Sequence, residues 1–473
     1  MNLDLSKNKR EDIWKYIISA LEDFYTNTAD LKVSPELNIE KVVAYVSQFD
    51  FEKPIASFEA IDHVINGLKE FAVHTPHPAY FGLFNPRANF PGILADLITA
   101  VFNPQMAAWS HAPFANEVEI YLLKSFGKKF GYPESQIDGV FTGGGAEANL
   151  TTVLCALNHH FPEYANEGLI QLGKKPVIYT SEQSHHSVVK AARAVGLGLN
   201  AVRNIPADEK LALKTEILQQ QIEKDIKEGF NPFMIVATAG TTGAGAFDPL
   251  PEIAAIAKKD KLWFHVDAAY GGAVVMDEKL KDLLKGIEHS NSLTFDAHKW
   301  LSVPMATSLF VTREKEILSQ TFRVDADYMP KEASQMEIKD PFTHSIQWSR
   351  RFIGLKLYIS MLFFGWEGYA NVIRHQVAMG DLLKKLLVNS GWKMYNDTPL
   401  PIACFALEVF EKNPALALTI CEKIIKSGKA WISVYKIGEI NTLRACITNY
   451  ATTEKEVQLL VDLLNQYKEE LSH

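Results

Sequence analysis

The feature that most constrains this chain is a lysine that follows a short apolar run. Lys299 closes the stretch Ser292-Leu-Thr-Phe-Asp-Ala-His-Lys-Trp300, whose first residues have the pattern of a buried strand. A second apolar run, Leu262-Trp-Phe-His-Val266, ends at Asp267 and is followed by small residues such as Ala269. A lone lysine is usually a solvated surface residue, and an aspartate at a strand end is often only a helix cap. Opposite charges at the ends of two buried strands indicate a binding site instead.

This pair of residues is what a protein needs to hold pyridoxal 5'-phosphate (PLP). A carboxylate keeps the pyridine nitrogen protonated, so that the ring withdraws electrons, and a lysine holds the aldehyde as a Schiff base. We therefore predict that Asp267 faces the ring nitrogen and that Lys299 carries the cofactor. The small Ala269 would let the flat ring lie against the backbone.

A glycine-rich turn supplies a candidate phosphate site. The stretch Phe141-Thr-Gly-Gly-Gly-Ala-Glu-Ala-Asn149 opens a helix that continues through Leu157. Backbone N–H groups at a helix N-terminus converge on an anion, and the helix dipole adds to the attraction. A glycine triplet alone is more often an ordinary loop. It indicates a phosphate site here because it occurs together with Lys299 and Asp267.

Several separated motifs resemble those of the pyridoxal-phosphate-dependent group II amino-acid decarboxylases. This family includes the aromatic-L-amino-acid, histidine, glutamate and cysteine-sulfinate decarboxylases. The resemblance runs from about residue 70 to the C-terminus. The motifs occur in family order and are Phe141–Asn149, Thr180-Ser-Glu-Gln-Ser-His-His-Ser-Val188, Ala237-Thr-Ala-Gly-Thr-Thr-Gly243 with Phe247-Asp-Pro249, Asp296-Ala-His-Lys299, and Gln347-Trp-Ser-Arg-Arg-Phe352.

The resemblance implies an α/β fold of the type I PLP-dependent (aspartate aminotransferase-like) class. Short apolar runs alternate with helical ones in the middle of the chain, which independently indicates a mostly parallel sheet with ligands at the carboxyl ends of its strands. We place an N-terminal helical arm at residues 1–89, the large PLP-binding domain at 90–364 and a small C-terminal α+β domain at 365–473. In the family the arm packs on a partner subunit, so we expect a homodimer with a shared active site. A helical cap on its own domain is the alternative for the arm.

The resemblance also implies roles for individual residues. His185 would stack on the cofactor ring, His298 would hydrogen-bond the phosphate, and Tyr328 would reprotonate the intermediate from a segment that matches the family's catalytic loop. The catalytic residues are then Lys299, His185, Asp267 and Tyr328. The cofactor contacts are Gly145, Ala146, His185, Thr242, Asp267, Ala269, His298, Lys299 and Ser349, and the substrate contacts are Phe84 and Arg350.

Some positions leave alternatives open. The family often has serine at Ala146 and asparagine at Asp296, and a carboxylate near a phosphate is repulsive unless it turns away or caps a backbone N–H. Thr242 could instead stabilise its turn, and either arginine of the Arg350-Arg351 pair could be a structural ion-pair partner. His185 has no further ligands at metal-binding spacing, so we expect no metal.

The implied activity is the α-decarboxylation of an L-amino acid to an amine and CO2. The substrate is either aromatic or acidic: Phe84 and Trp109 match the pocket of the aromatic enzymes, whereas Glu182–His185 and Ala239–Thr242 look more like the glutamate and cysteine-sulfinate branch. The alternatives are another fold type I PLP lyase or aminotransferase, an oxidative decarboxylase that forms an aldehyde, and a non-catalytic homologue. The presence of both Lys299 and the other catalytic residues argues against the last of these.

Composition and charge narrow the class of protein. A net charge of -8 without a dense Lys/Arg block predicts no nucleic-acid partner. The four cysteines are widely scattered, which fits a reducing compartment. No apolar run approaches the roughly 20 residues of a membrane-spanning helix. The charged N-terminal stretch lacks the apolar core of a signal peptide, so we expect a cytoplasmic protein without a membrane partner.

Overall fold

The computed structural model describes residues 3–324 and 338–470. In chain order its helices are α1 Lys7–Asn27, α2 Ile39–Val46, α3 Ser57–Phe71, α4 Phe90–Phe102, α5 Pro113–Lys129, α6 Gly145–His160, α7 Tyr164–Glu167, α8 Ser187–Ala194, α9 Thr215–Lys227, α10 Leu250–Asp260, α11 Ile317–Phe322, α12 Gly354–Asn389, α13 Val409–Lys412, α14 Ala415–Ser427 and α15 Glu454–Glu470. Its strands are β1 Asp138–Thr142, β2 Pro176–Ser181, β3 Val202–Ile205, β4 Asn231–Thr238, β5 Trp263–Asp267, β6 Ser292–Asp296, β7 Ser308–Thr312, β8 Lys393–Met394, β9 Ile402–Ala406, β10 Ser433–Ile437 and β11 Ile440–Cys446.

The chain divides into two compact units. The larger unit contains Phe84–Ala378 and Asn396–Ile402, and the smaller contains Met1–Leu83, Met379–Tyr395 and Ala403–His473. The sequence predicts domain boundaries at residues 89 and 364, and these boundaries stay a prediction. None of the described helices is long and apolar enough to cross a membrane.

A seven-stranded sheet forms the centre of the larger unit, with strand order β1-β7-β6-β5-β4-β2-β3. The pairs β2–β3, β2–β4, β4–β5 and β5–β6 are parallel, whereas β7 runs antiparallel to both β1 and β6. Strands β5 and β6 are buried along their whole length, which is why they read as continuous apolar runs in the sequence. The predicted α/β fold with a mostly parallel sheet is confirmed.

Helical connections explain the parallel order of this sheet. Helix α6 lies between β1 and β2 in the chain, α8 between β2 and β3, α9 between β3 and β4, and α10 between β4 and β5. A parallel strand must be reached by a crossover, so each of these helices returns the chain to the edge of the sheet where the parallel strands begin. The carboxyl ends of β4, β5 and β6 are therefore neighbours, with Thr238 paired to Asp267 and Asp267 paired to Thr294.

The smaller unit is an α+β structure with a four-stranded sheet of order β10-β11-β9-β8. The pairs β10–β11 and β8–β9 are antiparallel. Its core includes the fully buried Phe405, Phe410 and Leu460.

Helix α12 begins in the larger unit and is interrupted there at Gly365. The φ of Gly365 is +60°, a backbone conformation that glycine adopts readily.

Candidate active site

The predicted site residues lie at the carboxyl edge of the large sheet. Asp267 is the last residue of β5, and Asp296 is the last residue of β6, three positions before Lys299. Thr142 ends β1 and leads into the glycine-rich turn. His185 follows the end of β2 and precedes α8. Parallel strands bring these segments together, as expected for a ligand site in an open α/β sheet.

Lys299 forms an ion pair with Asp296. Its Nζ lies 3.0 Å from Asp296 Oδ2, and the Lys299 side chain is 19% exposed. Asp296 Oδ1 also accepts a hydrogen bond from Ser308 Oγ. Burial raises the pKa of Asp296, but the charges of Lys299 and His298 outweigh this effect and hold the pKa below its ordinary value. Asp296 is therefore a charged counterion that fixes the lysine amine.

The N-terminus of α6 lies against the Asp296 carboxylate. A Cβ atom on Gly145 would be only 2.9 Å from Asp296 Oδ2, so a larger residue at this position would displace the carboxylate. The N–H groups of Gly145 and Ala146 belong to the first helical turn, where the helix itself provides no acceptor. These amides could hold phosphate oxygens, and the Asp296 charge that would oppose an anion is offset by Lys299.

Asp267 is a buried carboxylate without a cationic partner in the described parts of the chain. It is 6% exposed. Its Oδ1 accepts a hydrogen bond from the Ala269 N–H at 3.1 Å, and its Oδ2 accepts one from Asn149 Nδ2 at 2.8 Å. A buried charge normally needs an opposite charge or a set of donors. A protonated pyridine nitrogen satisfies this need, so the residues present fit PLP.

The geometry of His185 fixes its protonation state. Its Nδ1 accepts a hydrogen bond from the Ser187 N–H at 3.2 Å and lies 2.8 Å from Ser187 Oγ. Because Nδ1 is an acceptor, the proton of the neutral ring is on Nε2. Partial burial lowers the pKa of His185, and the charge of Asp267 counteracts part of this shift. A neutral imidazole can lie on a cationic ring without charge repulsion.

Two further predicted cofactor contacts, His298 and Ala269, form hydrogen bonds with the backbone. His298 is 6% exposed, and its Nδ1 lies 2.9 Å from the Thr307 carbonyl oxygen and 3.1 Å from the Thr307 nitrogen. Burial lowers the pKa of His298. Ala269 is buried, and its carbonyl accepts from the Asp296 N–H at 3.1 Å, which links the ends of β5 and β6. Thr242 is half-buried in the turn that follows β4.

A stack of aromatic rings lies beside Lys299. The rings of Phe84 and Tyr270 are stacked with centroids 4.0 Å apart, and those of Tyr270 and Trp300 with centroids 4.9 Å apart. Lys299 Nζ is 5.6 Å from the centroid of Phe84. The structure thus places Phe84, a predicted substrate contact, beside the amine of Lys299.

The segment with the two arginines is placed differently from this cluster. Arg350 forms a buried ion pair with Glu119, with 2.7 Å between Nη2 and Oε2, and Arg351 pairs with Asp96 at 3.3 Å. Ser349 is exposed. The predicted contacts of Ser349 with the cofactor and of Arg350 with a substrate stay predictions. Tyr328 lies outside the described residues.

Sequence reasoning assigned no role to two residues that join the site. Asn149 connects Asp267 to Ser187, and Ser187 connects onward to His185. Both lie inside quoted motifs, Asn149 at the end of the glycine-rich stretch and Ser187 two residues after His185. Only the contacts reveal what they do, since both residue types are common in helix caps.

Known proteins share both the sequence pattern and the fold. The pattern of the pyridoxal-dependent decarboxylase conserved domain matches residues 49–408. An aromatic-L-amino-acid decarboxylase of Bacillus atrophaeus is 29% identical over 406 residues, which cover 84% of this chain and 83% of the relative. The match to the domain extends over most of the chain and includes Lys299 and Asp267.

Solved structures agree with the fold. The structure of Oryza sativa TDC with PLP and tryptamine has a TM-score of 0.94 at 22% identity and covers 100% of both chains. Mouse CSAD has a TM-score of 0.90 at 24% identity, with 98% of this chain and 99% of that chain covered. The chain therefore belongs to the family of pyridoxal-dependent decarboxylases, and it is a PLP-dependent amino-acid decarboxylase.

Proposed function

We propose that this enzyme removes the α-carboxylate of an aromatic L-amino acid and releases the corresponding amine and CO2. The observation that carries this choice of substrate is the aromatic stack, in which Phe84 lies beside Lys299 and packs on Tyr270. Ring–ring contacts add about 0.5–1.5 kcal/mol to the burial of an aromatic side chain. The identity to an aromatic-L-amino-acid decarboxylase of Bacillus atrophaeus supports the same class.

An acidic amino acid is the second candidate, because the segments around His185 and Thr242 look like the glutamate and cysteine-sulfinate branch. A side-chain carboxylate in the site needs a cationic partner, and a guanidinium fork suits it best. Arg350 is the predicted partner, but one end of its buried guanidinium is already paired with Glu119 of the same chain. This pairing favours the aromatic substrate.

In the proposed mechanism the residues at the strand ends bind and orient the cofactor. PLP supplies the electron sink that accepts the pair left behind when CO2 departs. The first-turn amides of Gly145 and Ala146 would hold the phosphate, and His298 would donate a further hydrogen bond to it. Asp267 would keep a proton on the ring nitrogen through its carboxylate, which is itself held by the Ala269 N–H.

The remaining residues would act at the ring and at the reacting carbon. Lys299 would hold the cofactor covalently through Nζ, with Asp296 beside that nitrogen. His185 would stack on the ring as a neutral imidazole and orient the substrate with its Nε2–H. Thr242 would serve the ring hydroxyl or the substrate. Tyr328 would deliver the proton to Cα once CO2 has left.

The test of the substrate class is a panel of amino acids read by CO2 release and by product mass. Purified protein with added PLP is given tryptophan, tyrosine, phenylalanine, glutamate, aspartate and cysteine sulfinate in separate reactions. We expect CO2 and the matching amine from the aromatic compounds. Protein with Lys299→Ala is the matched control, because it removes only the reactive amine.

Each other result of the panel rejects a named part of the proposal. Amine from the acidic compounds alone would reject the aromatic assignment. Transfer of the amino group to a keto acid without CO2 would indicate an aminotransferase. Aldehyde, ammonia and peroxide in place of amine would indicate an oxidative decarboxylase, and no product from any amino acid would reject the activity.

Tyr328→Phe should slow amine formation while cofactor and substrate still bind. Phenylalanine has the same volume but no proton to give to Cα, so part of the carbanion should react with oxygen and yield aldehyde, ammonia and peroxide. The measurement is the yield of amine and of aldehyde, side by side under air. Tyr121→Phe, at an exposed position, is the control. An unchanged amine rate without aldehyde would place the proton donor elsewhere, with His185 as the next candidate.

We further propose that the protein is a cytoplasmic homodimer with a shared active site. Helix α4 carries a row of exposed large apolar side chains, which a second copy would cover: Phe90, Ile93, Leu97, Ile98, Val101 and Phe102. The exposed Ser349 would then serve the partner's site. The four cysteines are free and buried, as suits a reducing compartment.

Val101→Asp should convert the dimer to an inactive monomer, because it places a charge in the proposed interface. Light scattering should give twice 53.0 kDa for the native protein and the single mass for the variant. Ile170→Asp is the control, since Ile170 is 90% exposed and lies outside α4. A native protein that is active as a monomer would contradict the shared site.

A further inference from the structure

A chain of buried hydrogen bonds connects the Trp263 indole to the Asp267 carboxylate, the proposed partner of the ring nitrogen. It starts at Trp263 Nε1, which lies 3.0 Å from Ser292 Oγ, and Ser292 Oγ lies 2.8 Å from His265 Nδ1. His265 Nε2 is 3.2 Å from Asn149 Oδ1, and Asn149 Nδ2 is 2.8 Å from Asp267 Oδ2. These five residues are at most 6% exposed, so water does not compete for these bonds.

The two ends of this chain fix the direction of every bond in it. Trp263 Nε1 can only donate, and the charged carboxylate of Asp267 can only accept. The amide group that faces Asp267 is therefore the nitrogen of Asn149, and its oxygen faces His265. The His265 ring consequently donates from Nε2 and accepts from Ser292 at Nδ1. Burial lowers the pKa of His265 to about 3, so the ring is neutral and can play both parts.

Asn149 uses both of its amide hydrogens towards the site. One goes to Asp267 Oδ2, and the other goes to Ser187 Oγ at 2.8 Å. With that lone pair engaged, the Ser187 hydroxyl directs its own hydrogen to His185 Nδ1, 2.8 Å away. One side chain thus contacts Asp267 directly and reaches His185 through Ser187.

We propose that Asn149 is a positioning residue that sets Asp267 and His185 together. Its first donation stabilises the charged form of Asp267, and its second holds Ser187 so that His185 stays in the neutral Nε2–H form. The inference rests on the proposed roles of Asp267 and His185. Asn149 itself touches neither substrate nor the reacting atoms, so its effect passes through these two side chains.

The test compares holoenzymes with Asn149→Leu, Ser187→Ala and Asn449→Leu. Leucine has the same branching at Cγ as asparagine but cannot donate a hydrogen bond. Ser187→Ala breaks only the branch to His185 and leaves the Asn149–Asp267 bond in place. Asn449 is the matched control, because it is 1% exposed like Asn149 and donates to the carbonyls of Pro76 and His77 in the smaller unit.

Two measurements separate positioning from simple loss of stability. They are the dissociation constant of PLP, and the pKa and tautomer of His185 by 15N NMR with His185→Gln to assign the signal. Asn149→Leu should weaken PLP binding by about tenfold or more, the effect of losing a hydrogen bond to a charged group. It should also change the tautomer and titration of His185, because the Ser187 hydroxyl is no longer directed to Nδ1.

Ser187→Ala should change the His185 titration while PLP affinity stays within about threefold of the native value, well under the tenfold that one charged hydrogen bond represents.

Some outcomes would overturn the inference. If Asn149→Leu lowers only the unfolding temperature, as Asn449→Leu should, the role of Asn149 is structural. If Asn149→Leu fails to fold, Ser187→Ala decides, and an unchanged His185 titration in that variant rejects the branch. The PLP and NMR measurements need no substrate. A native protein that releases no CO2 would thus reject the proposed function while leaving this inference to stand or fall separately.

Discussion

Replacing Lys299 with alanine is expected to abolish turnover and to remove the covalent attachment of the cofactor. Lys299 Nζ is the amine held by Asp296 at the carboxyl edge of the sheet, next to the first turn of α6 and the Phe84 ring. Covalent capture of the aldehyde requires a primary amine at this place. The measurements are the visible absorption band, its loss on borohydride treatment in the native protein, and CO2 release.

Lys356→Met is the matched control for this substitution. Lys356 is also a buried lysine of the larger unit, where its Nζ donates to the Ala306 carbonyl at 3.0 Å. This variant should keep the band and release CO2 even if it is less stable. A native protein that is colourless and gains no band when PLP is added would contradict the assignment of Lys299.

The centre of the fold was predictable because its strands are buried on both faces. Strands β5 and β6 are mostly apolar and carry no charged residue before their ends, so the aspartates that end them are distinct in the sequence. Two strands of the same sheet were not predicted. β1 begins with Asp138 and Gly139, and β3 has Arg203 and Asn204 at its centre, so neither has an apolar run.

The smaller sheet shows the limit of the same reasoning. The apolar run Trp431-Ile-Ser-Val434 predicts a strand near these residues, and β10 overlaps the run but extends beyond it, at Ser433–Ile437. Most of β10 is only partly buried, so its apolar and polar residues do not mark its bounds. Burial on one face gives a weaker signal than burial on both.

The candidate site was predictable where a residue type carries the chemistry by itself. Lys299, Asp267 and His185 were identified from their motifs, and the structure places them around one edge of the sheet. Asn149 was not identified, because its role depends on an acceptor 118 positions away along the chain. Hydrogen bonds of this kind follow from the fold and leave no local pattern in the sequence.

Asp296 and Arg350 show that the ion-pair partner of a charged side chain has to be observed in the structure. The sequence left open whether Asp296 would repel a phosphate, and the structure turns its carboxylate to Lys299 and Ser308. Arg350 was expected to meet a substrate carboxylate, but Glu119 already occupies one end of its guanidinium. In both cases the charge is present in the sequence, and the nearest partner decides what that charge can do.

At PLP concentrations that saturate the variant, Asp267→Asn is expected to keep PLP bound while lowering kcat by about a thousandfold or more, where each ~1.4 kcal/mol of lost transition-state stabilisation is a factor of ten. Asparagine keeps the size of the side chain and can still accept the Ala269 N–H, but it carries no charge to hold a proton on the ring nitrogen. A neutral pyridine is a poor electron sink, so loss of CO2 should become slow. The measurements are the PLP dissociation constant, single-turnover CO2 release and the absorption band.

Asp248→Asn provides the control for replacing a buried carboxylate in the same unit. Asp248 also accepts two backbone hydrogen bonds, from the Leu213 and Thr238 N–H groups at 2.8 and 2.7 Å. Burial raises the pKa of Asp248 to about 6, so part of its population is already neutral near that pH and the substitution should mainly affect stability. If Asp267→Asn turned over at nearly the native rate, the ring nitrogen would have to lie against another residue. A fall in rate shared equally by both variants would show that the loss comes from the scaffold, because only Asp267 is expected to act on the departing CO2 through the ring.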